Sequence, residues 1–237
     1  MNIKKKIFVC GTGWSGSDAL YYYFREFSNV FGVRPELKII VRDPEHSVYA
    51  KYRDNSYKNK EKYQQLSERV LSMIAKQHGH NNEEYLLFSN VVPCTRIFAS
   101  DILLDSTFFC VFRDPRSNWV ACVQEDSKVY ERFGRERTLE RYIKMYKKAM
   151  ERFEEAYQKV KNSGNTIIRV RFEDFILSDA YKKQLLDILG LDLKNYSKTP
   201  EVKPWPPEKN IYLHRTYEKQ NEIKTIEKEL TKYCYEF

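Results

Sequence analysis

The sequence has 237 residues, of which 42% are hydrophobic and 15% aromatic, and this composition predicts a packed globule rather than a disordered chain. Lys and Arg number 41 against 33 Asp and Glu, so the formal net charge of +8 favours anionic partners. No apolar run reaches the ~20 residues that a membrane helix needs, and no stretch has the composition of a linker. We therefore expect one domain over residues 1–237.

The first residues and the cysteines together indicate a cytoplasmic protein. Lysines near the start precede a short apolar run that ends at Gly11, which is too short for a secretory signal. The cysteines are odd in number and show neither CxxC nor Cys/His spacing, which favours thiols in a reducing compartment over disulfides or zinc. They are Cys10, Cys94, Cys110, Cys122 and Cys234. The richness in Lys, Asn and Tyr suggests a bacterial source.

The N-terminal half begins with a predicted strand, a glycine loop and a helix. Residues 6–10 form a short β-rich run, the sequence GTGWSGS follows, and apolar residues then recur at helical spacing. These apolar residues are Leu20, Tyr23, Phe24 and Phe27. Residues 37–41 predict a second strand, residues 47–80 a partly exposed helical region, and residues 85–88 a third strand.

The C-terminal half continues this alternation. Residues 107–112 are a continuous apolar run typical of a central buried parallel strand, and Pro115 is suited to the first position of a helix. The further predicted elements are one or two polar helices over 116–162, a strand at 166–170, a helix at 180–189 closed by Gly190, an extended proline arm at 204–207, and an amphipathic helix at 216–232. Alternating strands and helices predict an α/β fold of the P-loop type, a three-layer sandwich whose central parallel sheet is flanked by helices.

The segment Gly11–Ser17 has the frame of a phosphate-binding P-loop, G-x-x-x-x-G followed by a hydroxyl residue. Small residues allow backbone N–H groups to turn towards an anion, and the following helix adds the positive end of its dipole. The lysine that a nucleoside triphosphatase uses between Gly16 and Ser17 is absent, which argues against NTP hydrolysis. The alternative interpretation is a glycine-rich turn without a ligand.

The second notable segment, Arg113-Asp114-Pro115-Arg116, directly follows the predicted central strand. Ligands in open α/β sheets bind beyond the carboxyl ends of the strands. Two arginines and the free N–H groups of a helix start would therefore form a second phosphate site. The alternative is a strand-end cap in which Asp114 neutralises the arginines.

Together these segments resemble the sulfotransferases that use 3′-phosphoadenosine 5′-phosphosulfate (PAPS). In that family a Ser-Gly-Ser/Thr loop holds the 5′-phosphosulfate, as Ser15-Gly16-Ser17 would here, and a later Arg-Asp/Asn-Pro-Arg/Lys segment holds the 3′-phosphate, as Arg113–Arg116 would. Residues 166–192 also resemble the family's strand, the Glu-Asp segment that follows it, and a helix that ends in Leu-Gly-Leu. The resemblance implies sulfonate transfer to an acceptor hydroxyl without a metal. It implies a donor site formed by Gly11, Thr12, Gly13, Trp14, Ser15, Gly16, Ser17, Asp18, Arg113, Arg116, Ser117 and Arg215.

The chain departs from the family pattern at two positions. Trp14 stands where a basic residue usually precedes the Ser-Gly pair, so a positive charge near the bridging oxygen is missing. Its indole either packs against the donor or acceptor or is an ordinary buried hydrophobic side chain. Ala121 stands where the family has a serine, and Ser117, one helical turn earlier on the same face, is the candidate replacement. Lys209 and Arg215 would supply the family's basic C-terminal loop, or they are surface charges.

The resemblance implies a general base, and four residues are candidates for it. Glu36 ranks first, because some bacterial relatives place a glutamate there; Asp18 follows, although the helix end would keep it ionised and weaken it as a base. Asp43 and His46, just after the second predicted strand, are further candidates. Each of the four is equally explained as a solvated turn residue or a helix cap.

The acceptor and two other functions stay open at this stage. A saccharide, a glycolipid or a small metabolite would suit such an enzyme, with tyrosines of residues 44–100 around it. A P-loop small-molecule kinase would explain Gly11–Ser17 but neither the missing lysine nor the arginine pair. A catalytically degenerate nucleotide-binding homologue is the other alternative. No nucleic-acid recognition motif accompanies the positive charge, so we expect no nucleic-acid partner, whereas contact with a membrane surface stays open.

Overall fold

The computed structural model describes residues 3–33, 59–90, 102–124, 138–197 and 210–235. Within these ranges five strands form one parallel sheet in the order β2-β3-β1-β4-β5. The strands are β1 (Lys5–Gly11), β2 (Val30–Val33), β3 (Tyr85–Asn90), β4 (Ser106–Phe112) and β5 (Thr166–Arg171). The α/β class and the central parallel sheet predicted from the sequence are thus confirmed.

The centre of the sheet fixes the position of the predicted phosphate-binding segments. β1 pairs with β3 on one side and with β4 on the other, and every residue of β4 is buried. Gly11 at the end of β1 pairs with Val111 near the end of β4. The chain therefore leaves these two strands side by side, at the same edge of the sheet.

Helices cover both faces of the sheet. They are α1 (Ser17–Arg25), α2 (Lys60–Gln77), α3 (Pro115–Gln124), α4 (Leu139–Lys161), α5 (Phe172–Leu177), α6 (Asp179–Leu189) and α7 (Gln220–Glu229). One hydrophobic core joins the sheet to α2, α3, α4 and α7, and a second core joins its other face to α1, α5 and α6. Burial on both faces explains why the central strands have continuous apolar sequences.

Several predicted elements are confirmed and others differ in detail. The strands expected near 6–10, 85–88, 107–112 and 166–170 are present, and Gly190 closes α6 with a φ of 72°. The last helix is shorter than 216–232: it begins at Gln220 and ends at Glu229, and Thr231–Tyr233 form a separate 3-10 turn. The predicted strand at 37–41 and the proline arm lie outside the described residues.

Two elements were missed by the sequence analysis because each is too short for a periodic pattern. β2 has four residues, includes Gly32, and among the described strands pairs with β3 alone. α5 has six residues directly after β5, fewer than two helical turns. The helices in the described ranges are all too short or too polar to cross a membrane, and the described cysteines form no disulfide with one another.

Candidate anion-binding site

The loop between β1 and α1 depends on glycine at two positions. A Cβ atom at Gly11 would lie 2.2 Å from the Ser15 hydroxyl, and one at Gly16 would lie 2.1 Å from the ring of Phe172. Gly16 also has a φ of 83°, a conformation that residues with a side chain rarely adopt. The loop therefore folds tightly against α5, and its backbone approaches its neighbours closely.

Two hydroxyl groups of this loop are buried without a hydrogen-bond partner. They are Ser15 Oγ, on a residue that is 1% exposed, and Thr12 Oγ1. The N-cap residue of α1 is Gly16, which has no side chain to cap the helix, and the helix begins at the buried Ser17. A buried unpaired hydroxyl costs roughly 1–3 kcal/mol. Two such groups beside an uncapped helix N-terminus indicate a site that a bound group completes.

The turn between β4 and α3 contacts this loop directly. Arg113 is 4% exposed, and its Nη1 donates to the Trp14 carbonyl oxygen at 3.3 Å. Asn118 Nδ2 donates to the Gly13 carbonyl oxygen at 2.9 Å. The guanidinium of Arg113 also lies 5.2 Å from the centre of the Phe172 ring. The two segments predicted to bind phosphate are therefore adjacent, although they are about a hundred residues apart in sequence.

Arg113 is a desolvated cation that still has hydrogen-bonding capacity. Its Nη2 donates to the Asn210 carbonyl oxygen, while its Nε has no partner. Burial lowers the pKa of Arg113, and the nearby Glu173 carboxyl acts against this. An arginine remains charged at any physiological pH. Arg113 therefore places a positive charge behind the glycine loop.

Arg116 has a different environment, which matches the strand-end cap considered above. Its guanidinium donates to Asp114 through Nε at 2.9 Å and Nη2 at 2.7 Å, and to Glu227 through Nη1 at 2.9 Å. Nη2 also donates to the Tyr235 carbonyl oxygen at 2.7 Å, and the Tyr235 N–H donates to Asp114 at 2.9 Å. The hydrogen bond with Asp114 is the main reason why the pKa of Arg116 is raised. Arg116 thus attaches the C-terminal segment to α3.

Ser117, on α3, contacts the C-terminal segment that includes the predicted basic residue Arg215. Ser117 Oγ is 2.8 Å from His214 Nδ1, and both residues are buried. Burial lowers the pKa of His214. Arg215 is exposed and lies 4.0 Å from the centre of the Tyr212 ring, whereas Lys209 is outside the described residues. His214 was missed because no sequence spacing connects it to Ser117, 97 residues earlier.

Glu173 is a second residue that the sequence analysis missed. Its side chain is buried at 1% exposure, and Oε1 accepts a hydrogen bond from the Asp114 backbone N–H at 3.0 Å. Its Oε2 has no partner, and burial raises the pKa of Glu173 to about 7. The only signal in the sequence was its place in the Glu-Asp segment that resembles the sulfotransferases, which does not reveal the contact with Asp114.

The described residues include only one candidate for the general base. Asp18 is exposed in the first turn of α1, whereas Glu36, Asp43 and His46 lie outside the described ranges. The choice of base stays a prediction. In the described part of the chain, no group of three or more His, Cys, Asp or Glu side chains is placed to hold a metal ion.

Comparison with known proteins identifies the fold. No protein-family model and no curated protein matches the sequence. The sulfotransferase domain from the Synechococcus PCC 7002 olefin synthase superposes with a TM-score of 0.59 at 12% identity, covering 100% of this chain and 96% of that domain. The sulfotransferase domain from the curacin biosynthetic pathway gives 0.55 at 15% identity, covering 81% and 76%. At such identities the likeness is one of fold, and the chain has the sulfotransferase fold.

Proposed function

We propose that this chain is a PAPS-dependent sulfotransferase, which transfers a sulfonate group to an acceptor hydroxyl. The observation that carries the proposal is the direct contact between the glycine loop and the β4–α3 turn, through Arg113 to Trp14 and Asn118 to Gly13. PAPS has a phosphosulfate and a separate 3′-phosphate, so a donor site needs two anion-binding segments on one side of a sheet. The sulfotransferase fold of this chain is consistent with this assignment.

The residues of the glycine loop fit the phosphosulfate end of the donor. The unpartnered hydroxyls of Thr12 and Ser15 would donate to anionic oxygens, and the N-terminus of α1 adds its positive end. Bound PAPS supplies an activated sulfonate group. The chain holds and orients that group.

The 3′-phosphate end would meet the β4–α3 turn. Arg113, Ser117 and the exposed Arg215 are the candidates here, because Arg116 already donates to Asp114 and Glu227. Arg113 and Ser117 also have protein partners, in Asn210 and His214 respectively. Binding of a phosphate at this end would therefore exchange or share these partners.

A ligand-stabilisation experiment tests the donor class. We expect 3′-phosphoadenosine 5′-phosphate (PAP), the spent donor, to raise the free energy of unfolding by about 2.7 kcal/mol at 100 times its dissociation constant. ATP with magnesium, matched in concentration, should have little effect because the P-loop lysine is absent. Stabilisation by ATP–magnesium alone would contradict the proposal and favour a kinase.

A serine-to-alanine substitution tests whether the glycine loop binds the nucleotide. Ser15→Ala removes a hydroxyl that has no partner in the protein, so it should leave stability unchanged or slightly raised. If the hydroxyl donates to the 5′-phosphate that PAP shares with PAPS, PAP affinity should fall at least about tenfold, since hydrogen bonds to charged groups contribute ~1.5–3 kcal/mol. Isothermal titration calorimetry measures this change.

Ser67→Ala is the matched control for that substitution. Ser67 Oγ is also buried and unpartnered, but it lies on α2, which packs in the core on the other face of the sheet from α1. This variant should bind PAP as the unmodified protein does. If both serine variants and the unmodified protein bind PAP with equal affinity, the glycine loop is not part of the donor site.

The acceptor side of the proposal needs an activity assay. Transfer of labelled sulfonate from PAPS to a panel of saccharides, glycolipids and small hydroxylated metabolites would identify the acceptor class. Among the candidate bases we propose Glu36 first, with Asp18, Asp43 and His46 as alternatives. Substitution of the true base should abolish turnover and leave PAP affinity intact, whereas a variant that retains full turnover excludes its residue.

A further inference from the structure

The carboxyl group of Glu173 lies behind the proposed phosphate site, at the turn that presents Arg113. Its Oε1 fixes the Asp114 peptide by accepting that residue's N–H at 3.0 Å. The neighbouring residue Phe172 packs against Gly16 and lies under the Arg113 guanidinium. One dipeptide of α5 thus contacts both segments that would hold the nucleotide.

The second oxygen of Glu173 is the unusual feature of this arrangement. Oε2 is buried and accepts no hydrogen bond, and Arg113 Nε, also buried, donates none. Burying a carboxylate oxygen without a hydrogen bond costs free energy because the oxygen is charged. Protonation removes the charge and with it this desolvation cost. Glu173 therefore has a structural reason to exchange a proton when the charge around Arg113 changes.

Within the described ranges, charged and titratable groups from three parts of the chain act on this carboxyl. Arg113 favours its ionised form, and Asp114, on the same turn, opposes it. Tyr146 from α4, whose hydroxyl donates to the Arg113 carbonyl oxygen at 3.0 Å, and Tyr235 near the C-terminus also face it electrostatically. Both tyrosines have raised pKa values and stay neutral near pH 7. Burial raises the pKa of Glu173 most strongly, the backbone N–H of Asp114 opposes it, and the charges of Asp114, Arg113 and any anion beside them add to this balance.

We propose that Glu173 is a positioning residue of the phosphate site that takes up a proton from solvent when an anionic nucleotide binds beside Arg113. This inference depends on the proposed donor site. The nucleotide adds negative charge near a carboxyl that already has an unpaired oxygen, so its ionised form becomes less favourable. The proton binds to Glu173, and the hydrogen bond from the Asp114 N–H to Oε1 is kept.

Two observable consequences follow. With a pKa of about 7, Glu173 is partly ionised in the free protein near pH 7, so PAP binding should take up a fraction of a proton there. PAP affinity should also decrease at high pH relative to a variant that cannot ionise. If binding raises the pKa of Glu173 by one unit, PAP affinity differs tenfold between low pH, where Glu173 is protonated, and high pH, where it is ionised.

Glu173→Gln tests the inference, because the amide oxygen can still accept from Asp114 while the charge is lost. PAP affinity is measured by calorimetry at pH 6 and pH 8.5 in two buffers of different ionisation enthalpy, which gives the number of protons taken up. We expect the variant and the unmodified protein to bind almost equally at pH 6. At pH 8.5 we expect the variant to bind about tenfold more tightly and to take up fewer protons.

The matched control is Asp174→Asn, on the neighbouring residue of the same helix. Asp174 is 35% exposed and pairs with Arg171 at 3.3 Å, so its loss removes the same charge at a solvated position. This variant should keep the pH dependence of the unmodified protein. Titration of the phosphates of PAP is common to all three proteins and cancels in the comparison.

The possible results separate the two proposals. If PAP does not bind at any pH, the proposed function fails. If PAP binds, the affinity of Glu173→Gln is divided by that of the unmodified protein at each pH. A ratio that is equal at both pH values, or lower at pH 8.5, means that the inference about Glu173 is wrong. Should Glu173→Gln fail to fold, infrared difference spectra of the unmodified protein decide: a protonated-carboxyl band must appear on PAP binding at pH 8, and its absence overturns the inference.

Discussion

Glu173→Gln should change the pH dependence of folding stability even without a ligand. Burial raises the pKa of Glu173 from 4.5 to about 7 in the folded chain. Between these two values the unfolded chain has lost the proton that the folded chain retains. The folded state binds more protons, so the free energy of unfolding falls as pH rises through this interval and levels off above about 7.

The size of this effect follows from the same interval. Each pKa unit corresponds to about 1.4 kcal/mol, so the interval corresponds to about 3 kcal/mol of stability lost between pH 4.5 and pH 8. Glu173 is 1% exposed, so solvent screens this effect little. Glutamine does not titrate, and the variant should therefore gain about 3 kcal/mol relative to the unmodified protein over this range.

Urea unfolding followed by circular dichroism at half-unit pH steps measures the difference between the two proteins. Exposed carboxyls such as Glu84 and Asp179 have lowered pKa values, which stabilise the fold at high pH. They are present in both proteins, so they cancel in the difference. Parallel stability curves over pH 4.5–8 would refute the reasoning and would show that the Glu173 carboxyl is solvated in the folded state.

Two further predictions concern the glycine loop and the β4–α3 turn. Gly16→Ala should destabilise the fold by about 2–4 kcal/mol in urea unfolding, because the methyl group meets the Phe172 ring and φ is 83°; a loss below about 1 kcal/mol would mean that the loop relaxes freely. Arg116→Ala should cost about 3 kcal/mol, because it removes the guanidinium that neutralises the buried Asp114 carboxylate. Glu227→Gln removes the charge of the 45%-exposed partner of Arg116 and should cost less than about 1 kcal/mol. Equal losses of stability for these two variants would mean that Arg116 stabilises the fold through Glu227 rather than through Asp114.

Local sequence patterns predicted the elements that present the site. The continuous apolar run of β4 and the glycine loop after β1 could be located without coordinates, because burial and backbone conformation restrict the residue types at those positions. Pro115 was placed correctly at the start of α3 for the same reason. Short elements such as β2 and α5 were missed, since four or six residues contain too little periodicity.

The roles of individual side chains depended on partners that are distant in the chain. The sequence alone placed the two segments proposed to bind phosphate at strand ends, and it suggested equal roles for Arg113 and Arg116. Only the tertiary structure distinguished them: Arg113 contacts Trp14, 99 residues away, whereas Arg116 reaches Tyr235, 119 residues away. The same holds for Glu173, whose burial against the Asp114 peptide no local pattern encodes. Secondary structure follows from neighbouring residues, but the charge state and hydrogen bonds of a buried group are decided by whatever the fold packs around it.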